Sequence, residues 1–128
     1  MKRLLITLLL AVLSTSAMAE WVQINANNNS TTYVDPTTIR KVGNKVKIWL
    51  MEDVKTMQIS GKYKFLSDKS QHEYDCQNET FTPVASALFS GNMGLGQVVY
   101  SYNRRLDSMS VMPGTVSDVV WKMVCGTR

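Results

Sequence analysis

Residues 45–53 read Lys45-Val46-Lys47-Ile48-Trp49-Leu50-Met51-Glu52-Asp53, and aliphatic side chains occupy every second position from Val46 to Leu50. Successive side chains of a β-strand leave it on opposite sides, so Val46, Ile48 and Leu50 share one side. Lys45, Lys47, Trp49 and Met51 share the other. One side is aliphatic and needs a cover; the opposite one is basic and aromatic, and is either left open as a contact surface or folded over by the chain's own loops, which would make Trp49 ordinary core. Glu52 and Asp53 point to opposite sides and are expected to end the strand.

Outward from this segment the chain is punctuated at short intervals. Asn27-Asn28-Asn29-Ser30, Asp35-Pro36, Gly43-Asn44, Ser60-Gly61 and the cluster Gly91 to Gly96 are turn signals, and the segments between them are too short for ordinary helices. That rhythm predicts an antiparallel sheet, with strands at 20–26, 31–35, 45–53, 63–77, 80–90 and 96–103. In the fourth, His72, Tyr74 and Cys76 share one side and Gln71, Glu73 and Asp75 the other, so Cys76 marks the covered side.

The pattern changes after Pro113-Gly114. Thr115 followed by Asp118 resembles a capping box, and Val116, Val119, Val120 and Met123 recur at helical spacing before Gly126. A helix of about ten residues is expected to lie on the sheet. Cys125 falls opposite that apolar stripe, so its bond to Cys76 is expected to need a helix ending near Val124.

Those are the only two cysteines of the 128 residues. The first nineteen residues read as Lys2 and Arg3, an apolar run from Leu4 to Leu13, and Ala17-Met18-Ala19, the order of a secretory signal with a small-residue cleavage site. The run is too short to span a bilayer, which takes roughly 20 apolar residues. Cleavage there makes Glu20 the first residue of a single domain, 20–128. In an oxidising compartment an even cysteine pair reads as one disulfide rather than as metal ligands. Without Lys2 and Arg3 the chain carries 12 basic and 10 acidic side chains, too mild an excess to argue for nucleic acid.

The residues that could carry chemistry are few. His72 is the only histidine, which excludes paired imidazoles and leaves a structural residue, a lone general base or a haem ligand as its readings. Glu73 and Asp75 share a strand side at a spacing that suits either a glycosidase pair or simple solvation. The Gly91 to Gly96 cluster reads as a turn, because a phosphate cradle needs a helix to follow and Val98-Val99-Tyr100 reads as strand. Six methionines follow the leader without a repeated metal-binding spacing and read as core filler. No nucleophile, base and orienting group occur together, so no enzyme, cofactor or metal site is expected.

One distribution stands apart. Seven of the eight lysines after the leader lie between Lys41 and Lys69, interleaved with Trp49, Tyr63 and Phe65. Two readings stand: lysines that solubilise the surface and blunt a sheet edge, or a patch for a protein or acidic glycan partner. On the second reading the contact residues are Lys45, Lys47, Trp49, Met51, Lys62 and Lys64.

Taken in order, Trp21 with Ile24, Tyr33-Val34-Asp35 with Ile39, Gly43 before Val46-Lys47-Ile48-Trp49, Tyr74-Asp75-Cys76, Met93-Gly94-Leu95-Gly96 before Val98-Val99, and Pro113 ahead of Trp121 and Val124-Cys125 resemble the surface-adhesin protein E family. The resemblance spans nearly all of the chain after the leader. It implies an α+β, mainly β fold: a single antiparallel sheet of about six strands, with a C-terminal helix held to one face by the Cys76–Cys125 disulfide. It also implies a bacterial surface protein that contacts host extracellular proteins. Unlike a lipidated adhesin, this chain has no cysteine at the leader junction, so neither a lipid nor a transmembrane anchor is expected. The alternative function is a periplasmic accessory or structural protein of the envelope. Open sheet edges further allow two copies to pair through an edge poor in lysine.

Overall fold

Gly43-Asn44 and Gly61-Lys62 each form a two-residue hairpin loop, and both glycines take a positive φ, 59° and 58°, that suits them to the first loop position. These turns join the longest strands of the molecule. The computed structural model describes residues 19–126, so the expected leader lies outside the described residues apart from Ala19. The strands are β1 (Val22–Ala26), β2 (Ser30–Val42), β3 (Lys45–Ser60), β4 (Tyr63–Asp75), β5 (Thr80–Phe89), β6 (Val98–Tyr102) and a two-residue β7 (Met109–Ser110). They form one antiparallel sheet in the order β1-β2-β3-β4-β5-β6, with β7 paired to β5 at Thr80 and Phe81.

Two strands outrun their expected ends. Asp35-Pro36 interrupts β2 without ending it: the register breaks between Asp35 and Arg40, and the Asp35 carboxylate accepts from the Thr37 N–H at 3.0 Å. The Thr38 hydroxyl fills the gap by accepting from the Trp49 N–H at 3.0 Å. Glu52 and Asp53 likewise do not end β3, which runs on to Ser60 past a register break between Asp53 and Gln58. Charged residues are tolerated there because Glu52 is exposed and Asp53 is bonded by a loop described below.

The C-terminal helix α1 (Val116–Cys125) is capped as the sequence predicts. The Thr115 hydroxyl accepts from the Asp118 N–H at 3.3 Å, and the Asp118 carboxylate accepts from the Gly114 N–H at 3.1 Å. Its buried side differs from the expected stripe. Val119 and Met123 are exposed, whereas Val120 and Trp121 are buried and Val124 and Cys125 pack against the core. Trp121 and Cys125 are one turn apart on one helix side, so the helix runs through Cys125 and still bonds to Cys76, with a Cα–Cα distance of 5.3 Å. An early helix end is therefore unnecessary.

Between helix and sheet lie Val34, Ile48, Leu50, Tyr74, Val111, Val120 and Trp121, with Ile24, Ile39 and Phe81 at the margin. This defines a helix face and an open face of the sheet. The alternation of β3 holds: Val46, Ile48 and Leu50 are buried under the helix side, and Lys47 and Trp49 are half-buried opposite. The lysine-rich strands β3 and β4 lie in the middle of the sheet, so their lysines do not blunt an edge; β1 and β6, the outer strands, contain no lysine.

Candidate functional site

The open face is shaped by one loop. Between β5 and β6 the glycine cluster closes on itself, Ser90 N–H to Gln97 O at 2.9 Å and Gly91 N–H to Leu95 O at 3.0 Å, then folds back over β3 and β4. There the Met93 N–H donates to the Asp53 carboxylate at 2.7 Å, the Asn92 amide donates to Val54 O at 2.8 Å, and the Ser67 hydroxyl bridges Gly91 O and the Gly94 N–H at 2.6 and 2.8 Å. A Cβ on Gly91 would stand 2.9 Å from the Leu95 carbonyl oxygen, so the loop closes this tightly only with glycine there.

This fold-back corrects one expectation. Met51 was expected among the exposed contact residues, but it is fully buried, lying on the side of the sheet that the loop covers. Its cross-strand neighbour Lys69 places its ammonium 5.6 Å from the Trp21 ring centroid and 5.2 Å from that of Phe89. Cation–π attraction thus holds a lysine where no carboxylate partners it among the described ion pairs.

Beyond the loop the open face stays accessible. Trp49 lines an open groove of about 420 Å³ with Gln71, Ala85, Ala87, Ser101 and Asn103, where small side chains leave the indole uncovered. Two positions along the β3–β4 pairing from Trp49 and Gln71 lies a charged cluster. Arg105 forks onto Glu73 with N–O distances of 2.9 and 3.2 Å, and Lys45 approaches the same carboxylate at 3.8 Å. Lys47 lies directly across from Glu73 in the register. The Arg105 hydrogen bonds hold the Glu73 carboxyl below its ordinary range against the opposing effect of burial, and the Arg105, Lys45 and Lys47 charges add to them.

Lys45, Lys47 and Trp49 therefore come together. Lys62 and Lys64 do not join them, because they sit in the distal hairpin beyond the β3 register break. Lys64 is nine positions along β4 from Glu73, which at ~3.3 Å per residue is roughly 30 Å. Arg105 was not expected here; it lies in the irregular segment after β6, where no periodicity signals a facing. Glu73 and Asp75 are engaged separately. Glu73 is clamped by Arg105, and Asp75 accepts from the Gln77 and Asn78 N–H groups at 3.0 and 2.9 Å to close the β4–β5 turn.

The helix face carries a second concavity, about 320 Å³, where the start of α1 stands off the sheet. Its walls include Leu50, Glu52, Asp68, Ser70, His72 and Tyr74. His72 packs 5.4 Å from the Phe81 ring centroid, and burial pulls its pKa down to about 4. Burial and then the Glu52 charge push Asp68 up to about 6, against the Ser70 hydroxyl at 3.3 Å.

These two groups drive stability in opposite directions as pH falls from 6 to 5. The unfolded chain takes up a proton at histidine that folded His72 refuses, which destabilises; folded Asp68 takes up a proton that an ordinary aspartate refuses, which stabilises. The wild-type stability profile is expected to be shallower than that of either variant. Over that window Asp68→Asn should lose stability and His72→Phe should gain it, read from urea midpoints at the two pH values.

Among the described residues no helix is long and apolar enough to cross a membrane, and no group of three or more His, Cys, Asp or Glu side chains is arranged to hold a metal ion. No curated protein matches the chain. The fold is similar to solved structures of Haemophilus influenzae protein E. Crystal form II of that protein is 16% identical at a TM-score of 0.67, over 87% of this chain and 91% of the other. A second structure of it is 16% identical at 0.65, over 87% of each. Protein E from non-typeable Haemophilus influenzae is 16% identical at 0.51, over 80% of this chain and 74% of the other. At that identity the likeness carries the sheet, helix and topology. A family model described as surface-adhesin protein E matches residues 21–126, nearly the whole described chain. The chain belongs to the surface-adhesin protein E family.

Proposed function

We propose that this protein is an exported, non-enzymatic binding module that contacts an extracellular protein or acidic glycan through the open face of its sheet. The observation that carries this is the open groove at Trp49, with Lys47 two residues before Trp49 on β3 and Lys45 and Arg105 gathered on Glu73, the residue paired with Lys47. A half-buried indole in a groove of small residues is the form an interface anchor takes, and flanking charges steer an acidic partner toward it. Family membership supports adhesion as the purpose. The disulfide supports an oxidising location. The lysine-free outer strands support pairing of two copies through a sheet edge.

The test uses heparin and a panel of extracellular-matrix proteins as immobilised probes. Trp49→Ala is expected to weaken capture by roughly 1 to 3 kcal/mol while the melting temperature stays nearly constant. Unfolding of that variant with no binding-specific loss would return Trp49 to a structural role, and undiminished capture by the folded variant would remove it as the anchor. Protease digestion of intact cells separates a surface adhesin, which is cleaved, from a periplasmic envelope protein, which is protected.

A further inference from the structure

We propose that the concavity beneath the start of α1 is a second binding site, specific for a free small amine: an ammonium group on a short ring or alkyl body. This site is on the opposite face from Trp49 and does not depend on the adhesin reading.

The cavity's volume, about 320 Å³, lies at the small end of ligand sites. Leu50, Phe81 and Val116 supply apolar walls for a compact organic body. Glu52 and Asp68 face each other directly across the β3–β4 pairing, and both line the cavity. Among the described residues no lysine or arginine lines it. His72, the one basic side chain in the wall, is held neutral by burial. The nearest cation on the helix, Lys122, is committed to Asp118 at 3.1 Å. At neutral pH the pocket thus presents negative charge with no internal counterion.

A second observation is independent of the acidic pair. Tyr74 is fully buried and lines the same cavity, and neither its hydroxyl nor His72 Nδ1 has a hydrogen-bond partner among the described residues. Buried polar atoms without partners carry a desolvation penalty that a ligand relieves by bonding to them. An ammonium donates three hydrogen bonds and accepts none, which matches carboxylates, a hydroxyl oxygen and an unprotonated ring nitrogen. An anion would meet repulsion, and a purely apolar ligand would leave these atoms unpaired.

Affinity should follow the charge of Asp68. The titratable groups facing it are Glu52 from β3, His72 from its own strand and Tyr102 from β6, with the neutral Leu88 opposite on β5. Asp68 changes charge near pH 6, so amine binding should weaken on going from pH 7.5 to 5.

The experiment titrates the disulfide-bonded protein, residues 20–128, with phenethylammonium, 3-phenylpropanol and 3-phenylpropionate at pH 7.5, following backbone amide NMR shifts. The ammonium is expected to give saturable shifts confined to the cavity walls, the alcohol to bind at least tenfold more weakly, and the carboxylate not to bind. Asp68→Asn and Glu52→Gln should each weaken the ammonium at least fivefold. Tyr74→Phe should weaken it about threefold while raising or preserving the melting temperature, a combination that loss of packing does not produce. Lys47→Ala on the open face should leave binding unchanged. Absence of saturable shifts at the cavity, equal binding of the carboxylate, or an Asp68→Asn protein that binds as wild type would each overturn the proposal.

Discussion

Replacing both cysteines by alanine is expected to lower the unfolding free energy by about 4 kcal/mol, the chain-entropy value for a loop of the size that Cys76–Cys125 closes. Those residues are 49 apart in sequence, and the cross-link joins the end of β4 to the last turn of α1. A domain of this length commonly has ~5 to 15 kcal/mol in total, so the loss is a large share of it. The sheet's hairpins do not depend on the bond, whereas the docking of the helix does. Near-ultraviolet circular dichroism, to which the buried Trp121 contributes among the three tryptophans, should therefore change at denaturant concentrations that leave the far-ultraviolet strand signal intact. A shift below about 1 kcal/mol in urea unfolding would mean that the bond hardly restricts the unfolded chain.

Trp121→Ala is expected to be of similar severity, about 3 to 5 kcal/mol. The indole is 4% exposed and its Nε1–H donates to the Asp75 carbonyl at 3.0 Å, so truncation opens a cavity and strips a carbonyl of its donor. Trp121→Phe separates the two effects. It keeps much of the ring and removes the donor, and should lose about 1 to 2 kcal/mol. Because Trp121 and Cys125 are one helical turn apart, their losses should not add: the combined variant should fall short of the sum, since an undocked helix has no indole packing left to lose. Urea unfolding of the three variants checks both statements, and a strictly additive result would show that the helix is held at two independent points.

Local pattern made much of this legible. The alternation of Val46, Ile48 and Leu50 against Lys47 and Trp49 predicted both faces of β3, because strand geometry is a property of consecutive residues. Met51 obeys the same alternation and is buried nonetheless, since its cover is a loop some forty residues later that is pinned by Asp53 and Ser67. Gly91 to Gly96 reads as a turn in sequence; where that turn lands does not. The helix was legible in its caps, but its facing is centred on Val120, Trp121, Val124 and Cys125, which leaves Val119 and Met123 of the expected stripe exposed. Lys62 and Lys64 looked contiguous with Lys45 and Lys47 because the β3 register break and the length of the hairpin appear only once strands are paired. The acidic cavity needed the same information: Glu52 and Asp68 are sixteen positions apart, and only the pairing sets them face to face.

Every strand from β1 to β6 pairs with its neighbour in sequence, and that topology orders events in time. A chain delivered N-terminus first can add each hairpin to the growing sheet as it emerges, because of the strands only the two-residue β7 pairs across an intervening one. The helix is the larger exception. Tyr74 and Ile48 form their surface early but remain uncovered until the last residues arrive, and Cys76 stays a free thiol over the same interval. With only one other cysteine in the chain, no wrong intramolecular bond is available to it during that wait. The hazard in the interval is intermolecular: two nascent sheets meeting through their bare aliphatic faces, or two Cys76 thiols oxidising across chains.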